Sequence, residues 1–480
     1  MGERELEQQM DPFDVIIIGG GPGGYVAAIR AAQLGLKTAV IERKHLGGIC
    51  LNWGCIPTKS LLRTAEVYEL LQDAQSYGLR AENVGFDIAG VVERSRKAAG
   101  RLSKGVDGLL KKNKVRVIWG EARIVGSGQI EVTETSAQPP RGALGPGTYT
   151  SRNIVVATGA RPRSIPGVEP DGDRIWTYFE AMTPTTIPES IAIIGSGAIG
   201  AEFASFYRSM GSEVTLLEAL PQILPAEDEE IAAIVRKQFR KRGIDARESV
   251  RVTEAAIGDG AVEVSFRDTD GTVEAMTVER VISAVGVIGN TEGLGLGQLG
   301  VAIEDGTITT DSLGRTNIEG IFAIGDVAGG PMLAHKAQHQ GVACIEAIAG
   351  GTPHPINPRM IPACTYCSPQ VASVGLSEHD AEVLGTKVRI GRFPLIGNGK
   401  AVVLGETDGM VKTLFDASTG ELLGAHLVGP DVTELIQGFV IAMNVGATEQ
   451  QLSESVFPHP SLSEAMHESV LSASGRVLHI

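Results

Sequence analysis

The chain has 480 residues, of which 43% are apolar and 21% charged, and its net charge is −15. That length suits about three domains with sizeable cores. The acidic balance argues against nucleic acid or an anionic membrane as partner and leaves room for a basic protein. No apolar run approaches the ~18 residues of a membrane span. The polar Met1–Met10 stretch has no signal core, and five cysteines are too few for a disulfide framework, which points to a reducing cytoplasm.

Val15–Glu42 opens the chain with an apolar run, Gly-x-Gly-x-x-Gly (Gly19, Gly21, Gly24), a small-residue helix pattern, Gly35, and a second apolar run ending in glutamate. Next comes Gly47 to Lys59, which carries Cys50 and Cys55 on what reads as the glycine-loosened start of a helix. A helix N-terminus favours the thiolate, and a close partner thiol permits disulfide exchange. The pair therefore reads as a redox disulfide, against the alternatives of two unrelated cysteines or half a metal site. Gly126 to Thr150, rich in glycine and proline, reads as a surface loop between strands. Ile154–Gly159 reads as a buried strand ending in a turn, with Arg161–Pro170 as a linker.

At an offset of 176 positions, Ile191–Glu218 repeats the opening pattern with Gly195, Gly197 and Gly200, Gly211, and a terminal glutamate. One fingerprint alone is weak. Two, each with a glutamate 23 residues after its first glycine, are a strong sign of paired dinucleotide sites. The glycines and helix N-terminus would face a pyrophosphate, and Glu42 and Glu218 the ribose hydroxyls. Because the dithiol follows the first copy, that site should hold a flavin (FAD) and the second a pyridine nucleotide. No Lys or Arg occurs from Val214 through Val235, so Glu218 should favour NAD over NADP. Further along, Ile282–Gly286 reads as a returning strand, and Ile321–Gly325 as a buried strand placing Asp326 where a ribityl chain could be held, or merely in a turn. From Asn357 the pattern becomes a separate α+β unit. Cys344 reads as core, and Cys364-x-x-Cys367 as structural for want of a second ligand pair.

These motifs, with Ala157-Thr158-Gly159, Ala334-His335-Lys336-Ala337 and His459-Pro460-x-x-Ser463-Glu464, resemble the flavin-dependent disulfide reductases. Within them the chain is most similar to members that oxidise dihydrolipoyl groups. The resemblance implies an α/β fold with two Rossmann-like dinucleotide-binding domains plus a C-terminal α+β dimerisation domain. Its divisions would be 1–158 (FAD and disulfide), 159–288 (NAD), 289–356 (central) and 357–480 (interface). It implies that Cys50 exchanges with lipoyl sulfurs, that Cys55 meets the flavin, and that Lys59 pairs with Glu202 between flavin and nicotinamide. Thr158, Gly159, Asp326 and the helix beginning at Ala334 would serve FAD, and Glu202 and Gly286 the NAD side. His459 would be the base, oriented by Glu464, in the partner subunit's site of a homodimer. Two readings compete there: a rigid proline-flanked loop, and a Ser461-x-x-Glu464 capping box. Lys59 alone could be a solvated helix lysine.

The implied partner is a lipoyl-carrying protein of a 2-oxoacid dehydrogenase, glycine cleavage or other lipoyl-dependent system. Glutathione- or mercuric-reductase-like activity, or a docking role, are the alternatives. Departures from the family pattern are Ile49 and Trp53 in place of commoner Thr and Val, Phe457 where many relatives carry histidine, and Val287-Ile288-Gly289 without the usual arginine and proline.

Overall fold

The computed structural model describes residues 12–480; the Met1–Met10 stretch lies outside them. The chain forms two compact units. One joins the chain up to Ser60 with Val92–Arg163 and Val287–Ile356, and the other joins Leu61–Val91, Ser164–Gly286 and Asn357–Ile480.

In the first unit the apolar run Phe13–Ile18 becomes the central strand of a seven-stranded sheet. It pairs in parallel with Thr38–Glu42 on one side and Gly147–Val156 on the other, with Ile16 opposite both Ala39 and Ile154. Val15, Ile16 and Ile17 are fully buried, as a strand covered on both faces requires. Each contributes about 1.5–3 kcal/mol of burial at most. Ile321–Ala323 extends the parallel set beyond Gly147–Val156. The helix Pro22–Gln33 begins with proline in its first turn and turns Ala27, Ala28 and Ala31 inward.

The 126–150 stretch departs from the loop reading. Gln129–Thr133 is a strand between Glu121–Gly126 and Gly147–Val156, both antiparallel to it. Ile130 and Val132 alternate inward there. The glycine- and proline-rich signal belongs to the connection after it.

The second unit contains two sheets of five strands and a three-stranded meander, Arg251–Ile257, Val262–Arg267 and Val273–Val278. In the first five-stranded sheet Ser190–Ile194 lies between Glu213–Leu217 and Arg280–Ser283, all parallel. The strand expected at Ile282–Gly286 therefore ends at Ser283. The return is made by Val287–Gly289, antiparallel to Ala160–Pro162 within the first unit, so part of the expected linker is a strand. Beyond Asn357 an antiparallel sheet of five strands packs its own helices, with Phe393, Phe415 and Phe439 in the core. No helix among the described residues is long and apolar enough to cross a membrane.

Candidate active site and nucleotide cradles

Both fingerprints fold as strand, turn and helix. Gly21 and Gly197 occupy the N-cap positions with nearly the same backbone (φ −69°, ψ −176° and φ −63°, ψ −176°), and no side chain caps either helix. Each helix therefore leaves its first N–H groups available to an anion. A methyl added at Gly24 would come 1.9 Å from Gly19 O, and one at Gly200 would come 1.9 Å from Gly195 O, so helix and strand approach as closely as glycine permits.

The acids are fixed by backbone donors. Glu42 accepts from Gly20 N–H at Oε2 (2.8 Å) and from Lys44 and His45 N–H at Oε1 (2.7 and 3.1 Å). Glu218 accepts from Ser196 N–H and Oγ–H at Oε2 (2.9 and 2.6 Å) and from Leu220 N–H at Oε1 (2.9 Å). These bonds hold both carboxylates at the ends of their strands. Ser196 went unremarked in the sequence, though a serine between two fingerprint glycines is a visible signal.

Cys50 and Cys55 are joined by a disulfide with Cα atoms 4.8 Å apart. They do not share one helix start. Cys50 lies in the short helix Gly48–Trp53 and Cys55 opens the next, Cys55–Gln72, because Gly54 (φ −154°, ψ −113°) breaks the path between them. Gly47 and Gly48 both take positive φ, and a methyl on Gly48 would come 2.7 Å from Gly21 Cα. The dithiol helix thus lies directly against the first cradle.

Asp326 follows the strand Ile321–Ala323 in a 3-10 turn. Burial raises its carboxyl above the usual value against the pull of Lys336, and among the described residues no donor bonds its side chain. A partly buried carboxylate that accepts no donor there suits a ligand hydroxyl. Lys336 is itself buried, lowered by that burial, and donates to Gly325 O and Gly329 O. The Ala334–Ile348 helix likewise begins without a side-chain cap. Thr158 and Asn290 lock together, Thr158 Oγ–H donating to Asn290 O (2.7 Å) and Asn290 Nδ2 to Thr158 O (2.9 Å), with Gly159 O accepting from Asn290 N–H (2.9 Å). This cradle fits FAD.

In the second unit Glu202, 4% exposed, accepts from Tyr366 N–H at 2.9 Å. Gly286 takes φ +95° with open space where a side chain would stand. With the uncapped Gly197 helix and the fixed Glu218, this cradle fits NAD.

His459 is 78% exposed at its side chain and its Nδ1 lies 2.9 Å from Glu464 Oε1. Glu464 Oε2 accepts from Ser461 N–H at 2.9 Å. One carboxylate thus holds the ring and ties the Ser461 backbone, but the capping box is not completed: the Glu464–Ser472 helix has Ser463 at its N-cap without a side-chain cap bond, and Ser461 Oγ–H donates to Pro458 O. Partial burial opposes the charge on Glu464, yet the Ser461 and His459 hydrogen bonds keep its carboxyl below the usual carboxylate range. Cys344 is core, its thiol pushed by burial to about 12. Cys367 is raised still further by burial, Cys364 lies in the strand Ala363–Thr365, and no metal-binding group of three or more His, Cys, Asp or Glu occurs among the described residues.

A family model described as pyridine nucleotide-disulphide oxidoreductase matches residues 13–341, and its dimerisation domain matches 361–470, which supports a homodimer. The chain is 56% identical to a dihydrolipoyl dehydrogenase of Rhizobium etli, over 98% of this chain and 99% of that one. It is 53% identical to one of Zymomonas mobilis over 98% and 99%. Among solved structures, LpdA from Mycobacterium tuberculosis superposes with a TM-score of 0.87 at 28% identity, covering 95% of this chain and 98% of that one. The chain belongs to the pyridine nucleotide-disulphide oxidoreductase family.

Proposed function

We infer that this protein is a dihydrolipoyl dehydrogenase, oxidising dihydrolipoyl groups with reduction of NAD⁺. The observation that carries the reading is the Cys50–Cys55 disulfide, its Cys50 helix packed against the first of two dinucleotide cradles, in a chain that matches such enzymes over nearly its whole length. FAD, when bound, supplies a two-electron relay between the dithiol and the nicotinamide. The uncapped helix at Gly21 would hold its pyrophosphate with Gly19 and Gly24, Glu42 its ribose, and Asp326 its ribityl chain. Thr158, Gly159 and the N-terminus at Ala334 would line the ring side. Gly195, Gly197, Gly200, Glu218, Gly286 and Glu202 would hold NAD.

The dithiol does the exchange. Cys50 is assigned the exchange with the lipoyl sulfurs, its disulfide sulfur taking the attack of a dihydrolipoyl thiolate, and Cys55 the flavin side, with Lys59 serving the flavin and Glu202 the nicotinamide. His459 is the base. Its Nδ1 faces a carboxylate and so carries the proton, which leaves the Nε2 lone pair to take a proton from the substrate thiol. A base 78% exposed on its own chain suits a residue that serves the partner's dithiol. The four-part division at 158, 288 and 356 and the lipoyl-carrying protein of a lipoyl-dependent complex as substrate belong to the same reading.

The test compares a lipoylated carrier domain, free lipoamide and glutathione disulfide at matched concentrations. The lipoyl substrates should dominate; a kcat/KM for glutathione disulfide within about tenfold of theirs overturns the assignment.

A further inference from the structure

Trp53, one of the departures from the family pattern, lies between the two cysteines and has an arginine on its face. The Arg96 guanidinium is 4.4 Å from the centroid of its ring, and the His45 ring centroid is 6.5 Å from it at a tilt of 50°. The same guanidinium donates from Nη2 to Asn52 O at 2.5 Å. That carbonyl belongs to the last turn of a six-residue helix, where no intrahelical donor is available.

Arg96 does not act alone on this segment. From the same helix, Ile88–Lys112, Ser103 Oγ–H donates to Leu46 O (2.8 Å) and Arg94 Nη1 to Ser60 O (2.9 Å). Asn52 Nδ2 ties the short helix back to Leu46 O and Gly48 O at 3.0 and 2.9 Å. The arrangement has a cost at Arg96: burial disfavours its charge, and its Nε is closed off with no protein partner. A charge kept half-buried with an orphaned donor calls for a compensating role.

We propose that Arg96 is a positioning residue for the Cys50–Cys55 dithiol: it clamps the Asn52–Trp53 turn between the sulfurs and holds a fixed positive charge there that favours the thiolate once the disulfide is reduced. The inference rests on the dithiol reading given above. In that step the dihydrolipoyl dithiol gives up two electrons and two protons and closes to its own disulfide. The Cys50–Cys55 bond accepts the two electrons and breaks. One proton remains on one sulfur as a thiol, the other passes to the base, and one thiolate is left. A cation held by stacking and a carbonyl, rather than free in solvent, keeps its full effect on that thiolate. Other charged groups on the elements around the segment are Glu42, Arg43, Lys44 and His45 before it, Lys59, Arg63, Glu66 and Glu69 on the Cys55 helix, and Glu93, Arg94, Lys97, Arg101 and Lys104 on the Ile88–Lys112 helix, among others. The substitutions below leave all of them in place.

The experiment reads thiol reactivity directly. Holoenzyme is reduced with a water-soluble phosphine, freed of it, and alkylated with iodoacetamide across a pH series, the Cys50–Cys55 peptide being followed by mass spectrometry. Arg96→Met should raise the alkylation midpoint by about one pH unit, roughly tenfold less thiolate at a fixed pH, and Arg96→Lys by less than half of that. An unchanged midpoint in Arg96→Met, or a shift in Arg96→Lys as large as in Arg96→Met, overturns the proposal. If Arg96→Met does not fold, Trp53→Val decides: it keeps the arginine, removes its stacking face, and should raise the midpoint by about half a unit, with no shift overturning the proposal. Phosphine reduction needs no turnover. A wild type that fails to oxidise dihydrolipoamide while showing these shifts would remove the proposed function and leave the placement of Arg96 standing.

Discussion

At the first fingerprint, a methyl on Gly48 would come 2.7 Å from Gly21 Cα and one on Gly341 would come 2.8 Å from Gly23 O. At the second, Gly197 and Gly286 have nothing within 4 Å of an added methyl. The two cradles share strand, turn, uncapped helix and acid, but the first is walled by the dithiol helix and the Ala334–Ile348 helix and the second is open. A walled cradle suits a cofactor that stays; an open one suits a nucleotide that enters and leaves on each turnover. The same local motif thus serves two kinetic purposes, and its surroundings decide which.

Breaking each cradle at the same point gives the largest expected effect. Gly24→Val and Gly200→Val create the same backbone clash, since both methyls would fall 1.9 Å from a carbonyl oxygen. Gly24→Val should yield little folded protein and no bound FAD. Gly200→Val should remain yellow with about one FAD per chain while NAD reduction falls by more than about 10². Equal loss of FAD in both variants would erase the distinction between the cradles.

Next in size is the base, which belongs to neither cradle. His459→Gln should lower dihydrolipoamide oxidation by about 10² to 10⁴, the range for one general base. FAD content should be unchanged. Glu464→Gln should cost about tenfold, because it keeps a partner for Nδ1–H and loses only the charge. Near-wild-type turnover in both would leave the carboxylate as a tie between His459 and the Ser461 backbone and nothing more.

Glu218 sharpens the comparison from the open side. Glu218→Ala should lower kcat/KM for NAD by about ten- to a hundredfold, the worth of buried hydrogen bonds to two hydroxyls, and narrow its preference over NADP. Kinetics with both nucleotides measure it. Equal kcat/KM for the two in wild type would contradict the role of the acid.

Much of this was legible because each fingerprint couples two periodic runs to glycines and an acid at fixed spacing, a pattern that depends on local backbone geometry alone. The misreadings came where local signals overlapped. Gln129–Thr133 alternates like a strand, but five residues carry little weight beside the prolines and glycines that follow. The Gly47–Lys59 segment reads as one glycine-loosened helix start, whereas Gly54 separates two helices. The contacts that could not be read are long-range: Arg96 reaches Asn52 across 44 positions and Asn290 reaches Thr158 across 132. No periodicity announces such pairs. Trp53 did stand out as a departure, without any sign of what it met.

The smallest expected effect concerns an acid found only beside the second cradle. Glu227 lies nine residues after Glu218, in a loop whose Leu224 N–H bonds to Ser196 O of the fingerprint at 3.1 Å. After Glu42 the first copy has Arg43, Lys44 and His45 instead. Glu227 Oε2 is closed off without a hydrogen-bond partner, and burial, reinforced by the nearby Asp228 and only partly offset by Ser373, pushes the carboxyl from 4.5 to about 7. Between those two values the unfolded chain has lost this proton and the folded chain keeps it. Folding then takes up a proton, so stability falls as pH rises through the interval, and the loss, ~3 kcal/mol at most, is complete above about pH 7. Glu227→Gln keeps the shape and removes the ionisation. Its Tm advantage over wild type should therefore be small near pH 4.5 and widen toward pH 8, with FAD content unaffected. A difference that stays constant across that range would assign the effect to packing, and the open cradle would carry no titrating acid of its own.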